Sequence, residues 1–291
     1  MDNNIKTDYY RRLTVLRDNR RFIDQYLQGS GCELEEKFWS PNSSSRLAFD
    51  LYSWIPNVEF EKKLPGVICS PSGPAGVPNI DVFIEMEDRL LFIESKYTEP
   101  ASLSYTLGNK PNLSKAYWYK GYHGKLPIEK RFYGNGMVAE RFSNFCIEIQ
   151  NVIGSDPRKE NKWKWFDVKQ ETCHLFGIIF YALQAHKEGK TFICSSTNQI
   201  KKKISLLNII WRLTDDDFNC PDDSLPRIFE KKANSMVNEI LGDCFEFKVY
   251  CVQDLLNSNN FYGFDFLHAK SFEKENLVIE QMQQYKRSDK R

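Results

Sequence analysis

Three side chains in one short stretch have the types and spacing for metal-dependent chemistry. Asp81 is followed after twelve residues by Glu94, and Lys96 stands two positions further on. Around them, Ile80, Val82, Ile84 and Met86 alternate with Asp81, Phe83 and Glu85. Beyond Glu87-Asp88, Leu91 and Ile93 alternate with Leu90, Phe92, Glu94 and Lys96. Strict alternation in two short runs is the signature of paired strands. A two-residue turn at Glu87-Asp88 makes Met86 face Arg89, Ile84 face Leu91, Val82 face Ile93 and Asp81 face Glu94. Lys96 shares the face of Glu94, because strands repeat every two residues. Two carboxylates so close repel unless positive charge lies between them. The arrangement therefore predicts a divalent cation site, and hard oxygen ligands suit Mg2+ or Mn2+. Lys96 would place a point charge beside a reacting phosphate or help to activate water. Together these are the parts for metal-assisted phosphodiester hydrolysis. The plainer reading is an amphipathic hairpin whose Glu94 and Lys96 form a solvated, salt-bridged edge.

The segments around this hairpin must position it. Residues 5 to 28 read as one amphipathic helix with Leu13, Leu16, Ile23, Tyr26 and Leu27 as its stripe. Gly29-Ser30-Gly31 ends it. Its arginines (Arg11, Arg12, Arg17, Arg20 and Arg21) make either a solvated face or a phosphate contact. Ser43 to Ser45 can cap a helix over about 44–54, stopped by Pro56. Residues 58–64 read as a strand, and Pro65 to Pro78 as a loop without a phosphate-cradling pattern. Residues 136–151 and 167–187 read as helices, the second with a polar stripe of Gln170, His174 and Tyr181. Residues 191–196 read as a short buried strand and 199–213 as a helix opened by Lys201, Lys202 and Lys203. Positive charge in a first helical turn opposes the helix dipole, which leaves phosphate contact or solvation as the motive for those lysines. Asp215 to Asp217 read as a solvated acidic loop, 228–241 as a helix and 245–249 as a strand. A short helix starts near Asp254, and a charged helical tail covers 271–291.

Asp81, twelve residues, then Glu94-Ser95-Lys96 resembles the PD-(D/E)XK signature of the restriction-endonuclease-like nucleases. The continuation Tyr97-Thr98-Glu99-Pro100 is similar to a bacterial branch of that superfamily. Where the named pattern has proline directly before the aspartate, this chain has Ile80, with Pro78 further back. The resemblance covers about residues 43–215. It implies an α/β fold: a restriction-endonuclease-like mixed central β-sheet flanked by helices, with a basic, aromatic-rich insertion after the ExK strand. It implies one nuclease domain over 1–291, with an N-terminal helical arm (1–42), a catalytic core (about 43–215, insertion about 101–166) and a C-terminal extension (216–291). It implies an Mg2+-dependent (or Mn2+-dependent) deoxyribonuclease, an endonuclease of type II restriction-like character in host defence. Asp81 and Glu94 would bind the metal with the Ser95 backbone carbonyl as third ligand, and Lys96 would act on phosphate or water. Asp50 is available on the helix before the first strand, and Glu61, on one strand face with Glu59, is either an auxiliary metal carboxylate or part of an exposed strand face. In the resembled nucleases a helix after the ExK strand can add polar residues to the cleft, which makes Gln170 and His174 candidates. Expected partners are double-stranded DNA and a second copy in a homodimer. The rivals are a non-cleaving nucleic-acid-binding module on the same scaffold and a structural or partner-binding protein.

Composition narrows the field. The formal charge of the 291 residues is +1, so nucleic-acid contact must use a local patch. Lys110, Lys115 and Lys120, interleaved with Tyr117, Trp118 and Tyr119, supply either such a patch or an irregular subdomain with an aromatic core. The eight cysteines form no CxxC pair and no zinc pattern with the four histidines. With no apolar run long enough to span a bilayer, and cysteines set in apolar runs, a cytoplasmic, reduced protein is expected.

Overall fold

The computed structural model describes residues 3–29, 34, 38–39, 43–64, 79–96, 136–155, 166–187, 202–211, 221–257, 262 and 264. In chain order the elements are α1 (Asn3–Asp18), α2 (Arg20–Gln28), α3 (Ser44–Tyr52), β1 (Val58–Lys63), β2 (Asn79–Glu85) and β3 (Arg89–Lys96). There follow α4 (Gly136–Ser155), α5 (Val168–Lys187), β4 (Lys203–Ile210), α6 (Leu225–Leu241), β5 (Phe245–Cys251) and α7 (Val252–Asn257). The strands form one five-stranded mixed sheet in the order β1-β2-β3-β4-β5. β1, β2 and β3 are mutually antiparallel, and β3, β4 and β5 are parallel. This is an α/β protein with helices on both faces of the sheet.

The β2–β3 hairpin has the register that alternation predicts. Ile84 pairs with Leu91 and Val82 with Ile93, and the Met86 N–H donates to the Arg89 carbonyl at 2.8 Å. Because side chains alternate, β3 presents two different faces. Leu91 and Ile93, with Val82, Ile84, Leu207 and Ile209, pack under Phe22, Tyr26, Phe49 and Leu51 of α2 and α3. Leu90 and Phe92, with Phe83 and Leu206, pack under Phe142, Phe176, Ile179 and Phe229 of α4, α5 and α6. Lys96 and Glu94 end this second face.

Several elements differ from the sequence reading. The N-terminal helix is two helices, broken at Asn19, and the break resets its phase. Phe22 and Tyr26 are buried, whereas Leu13 and Leu27 are exposed. The span expected to be a helix over 199–213 is instead β4 across its described part. It lies in the sheet interior, paired on both sides and buried on both faces, so its pattern has no period of two. Strand β5 joins the same sheet, which therefore runs to residue 251, past the core boundary drawn near 215. The expected strand at 191–196, the loop over 65–78, the acidic loop at 215–217 and the tail lie outside the described residues.

Side-chain amides bond backbone groups on both edge strands. On β1 the Phe60 N–H donates to Gln25 Oε1 of α2 at 3.0 Å. On β5, Asn234 and Asn238, one turn apart on α6, each bond the N–H and C=O of one residue, Phe247 and Phe245 respectively. Cys146, Cys244 and Cys251 are buried free thiols, whereas Cys173 is disulfide-bonded, which departs from the all-reduced expectation. Among the described residues, no helix is long and apolar enough to cross a membrane.

Candidate active site

The site lies at the carboxyl end of β3, where parallel strands of α/β sheets commonly open to ligands. The β2–β3 ladder ends at Val82 and Ile93. Two residues beyond Ile93 the Ser95 N–H donates to Asp81 Oδ2 at 2.7 Å, so the aspartate side chain replaces the next backbone partner and is pinned between the strands. The Lys96 carbonyl accepts from the Trp211 N–H just beyond β4. Successive carbonyls of a strand point to opposite neighbours, so the Ser95 carbonyl points toward β2 and Asp81. Asp81 and Glu94 are close enough for each charge to act on the other, and the Ser95 carbonyl faces the same side.

Lys96 Nζ donates to Glu94 Oε1 at 2.8 Å and to Gln170 Oε1 at 2.7 Å, and Gln170 Nε2 donates to the same Glu94 oxygen at 2.7 Å. Gln170 occupies the first turn of α5, where its own N–H is capped by Asp167 Oδ1 at 3.0 Å. His174, one turn on, brings Nε2 to 3.8 Å from Glu94 Oε2. Both helix candidates therefore reach the site. Glu94 is 1 % exposed and Lys96 9 %, while Asp81, Asp167 and Gln170 are only half-buried and mark its mouth. The solvated-edge reading of Glu94 and Lys96 is overturned, because α5 covers them.

The electrostatics are strained toward positive charge. Burial, with the neighbouring charges of Glu94 and Glu61, pushes the Asp81 carboxyl well above its ordinary range, although Lys96 and the Ser95 N–H oppose the shift. Glu94 Oε2 is buried and has no hydrogen-bond partner among the described residues. A buried acceptor and a destabilised carboxylate, next to an inward carbonyl, form a donor set that fits a hard divalent cation. That set is two acids and a carbonyl. Among the described residues no group of three or more His, Cys, Asp or Glu is placed to hold a metal. Glu61 stands opposite Asp81 in the β1–β2 register, but its φ of 52° interrupts the ladder there. Its carboxylate accepts from Asn79 Nδ2 and lies so close to Gly29 that a Cβ at that glycine would meet Oε2 at 2.9 Å. This local backbone turn and these contacts hold Glu61 aside, so it acts on Asp81 through its charge and does not complete a three-carboxylate group among the described residues. Asp50 is held by Arg11 at 2.7 Å and Arg12 at 3.1 Å, which tie α1 to α3 and occupy its oxygens. The N-terminal arginines thus include an internal bracket.

The lysines singled out after the hairpin are placed differently from the expectation. Lys202 and Lys203 stand at the start of β4, not in a helix, and Lys203 pairs with Arg89. Glu94 is five residues along the strand from that point, about 16 Å at ~3.3 Å per residue. Lys202 is engaged by Glu85 at 2.6 Å. Both therefore lie at the opposite end of the strands from the site. Lys110, Lys115, Lys120 and Lys201 lie outside the described residues.

Sequence reasoning missed three participants. Asn208 is the β4 neighbour of Glu94, Glu171 follows Gln170, and Tyr52 ends α3. Asn208 Nδ2 donates to Glu171 Oε1 at 2.6 Å. The Tyr52 phenol is pushed up by burial and by the charge of Asp81. The one available signal was the Glu171–His174 spacing of three, which joins side chains on a helix. No protein-family model matches the chain, and neither a curated protein nor a solved structure matches it.

Proposed function

We propose that the protein is a metal-dependent nuclease of restriction-endonuclease-like fold that hydrolyses DNA phosphodiester bonds. The observation that carries this reading is the convergence of Asp81, Glu94 and Lys96 at one strand end under a helix that adds Gln170. The mixed sheet, the helix before its first strand and the crossover from β3 to β4 are consistent with that fold. Mg2+ or Mn2+, held by Asp81, Glu94 and the Ser95 carbonyl, would supply a Lewis acid for the phosphate and an acidified water.

The chain's own side chains have separable roles. Asp81, anchored by the Ser95 N–H, and Glu94, anchored by Gln170 and Lys96, present oxygens with little freedom to reorganise. Lys96 sits in an ion pair with Glu94 and also donates to Gln170. Its role is therefore electrostatic, stabilising charge on the phosphate rather than removing a proton. Gln170 bridges Lys96 and Glu94 and so fixes the distance between cation and carboxylate. Double-stranded DNA is the proposed substrate, with Asp81, Asp167 and Gln170 at the entrance.

Plasmid incubated with the protein and Mg2+ is expected to be nicked or cut. Asp81→Ala and Lys96→Ala should each lower the rate on the order of 10²–10³-fold, the usual cost of losing one electrostatic group. DNA binding without Mg2+-dependent cleavage would instead indicate a non-cleaving module, and neither activity would indicate a partner-binding protein.

A further inference from the structure

The proposed machinery leaves three wholly buried polar side chains unused. Glu171, His174 and Asn208 are each 0 % exposed. His174 lies between two carboxylates, with Nε2 3.8 Å from Glu94 Oε2 and Nδ1 3.7 Å from Glu171 Oε2. The other Glu171 oxygen accepts from Asn208 Nδ2 at 2.6 Å. Asn208 is itself the strand neighbour of Glu94. The path therefore closes on itself, from the backbone beside Glu94, through Asn208 and Glu171 to His174, and back to the Glu94 side chain.

The two Glu94 oxygens are treated differently. Oε1 accepts from Lys96 and from Gln170. Oε2 accepts from none of the described residues and faces His174. A purely stabilising purpose accounts poorly for this. Two buried carboxylates flanking one imidazole carry a large desolvation cost, and apolar residues of similar volume are often as stable or more so. Leu90 and Phe92 show that the same sheet face packs well with apolar side chains. Separations of 3.7–3.8 Å are ion-pair distances rather than hydrogen bonds, so the imidazole acts on Glu94 through charge and packing.

We propose that Asn208, Glu171 and His174 form a positioning chain that aims Glu94 Oε2, the oxygen offered to a divalent cation. The cation rests on the nuclease reading, whereas the orientation of Glu94 does not. In metal sites, losing such an outer partner typically costs about 10–100-fold in affinity.

The test uses the full chain and three variants, Glu171→Gln, Asn208→Ala and His174→Leu. The first is nearly isosteric and keeps the variant set informative if His174→Leu fails to fold. Mn2+ binding is measured without DNA by electron paramagnetic resonance. Glu171→Gln and Asn208→Ala are expected to weaken it about 10–100-fold. Cleavage should return toward the wild-type rate at saturating Mn2+, so that the metal concentration for half-maximal rate moves more than kcat. Folded variants with lower melting temperatures but unchanged Mn2+ affinity would overturn the proposal. Metal-free crystal structures of the same variants give a readout independent of catalysis. Glu94 turned away from Lys96 and Gln170 supports the chain, and Glu94 unmoved in every variant overturns it. Wild-type protein that takes up no Mn2+ would defeat the nuclease reading alone, and the orientation of Glu94 would still decide the chain's role.

Discussion

Two polar clusters sit on opposite faces of the same sheet, and they are balanced in opposite ways. At the start of the parallel strands, Arg89 donates to Glu246 at 2.5 Å and to Ser205 at 3.0 Å, and its guanidinium stacks over the Tyr262 ring at 4.7 Å. Ser205 and Tyr262 add further donors to the same Glu246 oxygen, each at 2.8 Å. Burial alone would raise the Glu246 carboxyl, but these hydrogen bonds, with Lys248 and Arg89, hold it below its ordinary range. At the carboxyl end, on the other face, Asp81 is pushed up by its burial and by Glu94 and Glu61. Glu171 is pushed up by burial despite His174. The first cluster lowers the energy of the folded chain. The second raises it, and a fold retains such a cluster where charge is needed for chemistry.

That contrast can be tested by ligand, mutation and pH. The largest effect is expected from Mn2+ itself. At a hundred times its dissociation constant it should stabilise the protein by about 2.7 kcal/mol, read as a rise in melting temperature. Arg89→Met should keep that rise and Asp81→Asn should lose it. Arg89→Met should itself cost about 1.5–3 kcal/mol in urea unfolding, the worth of hydrogen bonds to a charged group, with cleavage unchanged. A loss of cleavage would erase the distinction between the clusters. Asp81→Asn should act with the opposite sign. It should raise metal-free stability by ~1 kcal/mol, a shift of about 2–4 °C in a chain of this size, while abolishing cleavage. A clear fall in stability would make the acidic row structural. The smallest effect concerns pH. A carboxyl whose folded value is depressed contributes stability above its unfolded value, and that contribution is lost as pH falls through the folded one. Glu246→Gln should therefore lower stability at neutral pH and flatten the profile below about pH 4.5, the ordinary range for glutamate, because the contribution it removes is lost there anyway.

The hairpin and its three central residues were legible because everything that places them is local. A two-residue turn fixes the register, period-two alternation fixes the faces, and Asp81, Glu94 and Lys96 follow. The Gln170 and His174 placements needed a resemblance to a fold in which a helix covers that strand. Strand β4 was misread because a strand buried on both faces has no polar side to alternate. Ile204, Leu207 and Trp211 also happen to fall at helical spacing. Asn208 and Glu171 were invisible for a different reason. Their meeting requires the crossover through α4 and α5 to bring β4 beside β3, which no window of neighbouring residues encodes. The break at Asn19 and the positive φ at Glu61 are likewise settled by packing, the one against the aromatic cluster and the other against Gly29.

Asn234 and Asn238 have a consequence of their own. Their amides take the places that an added strand would occupy along β5, so helix α6 stands in for a sixth ribbon. A foreign segment can reach that border only after the helix peels off, which also bares Phe229 and Val237. Intermolecular aggregation through this side of the molecule should therefore track the local melting of one helix. A second copy docking on the native protein would have to choose some other surface.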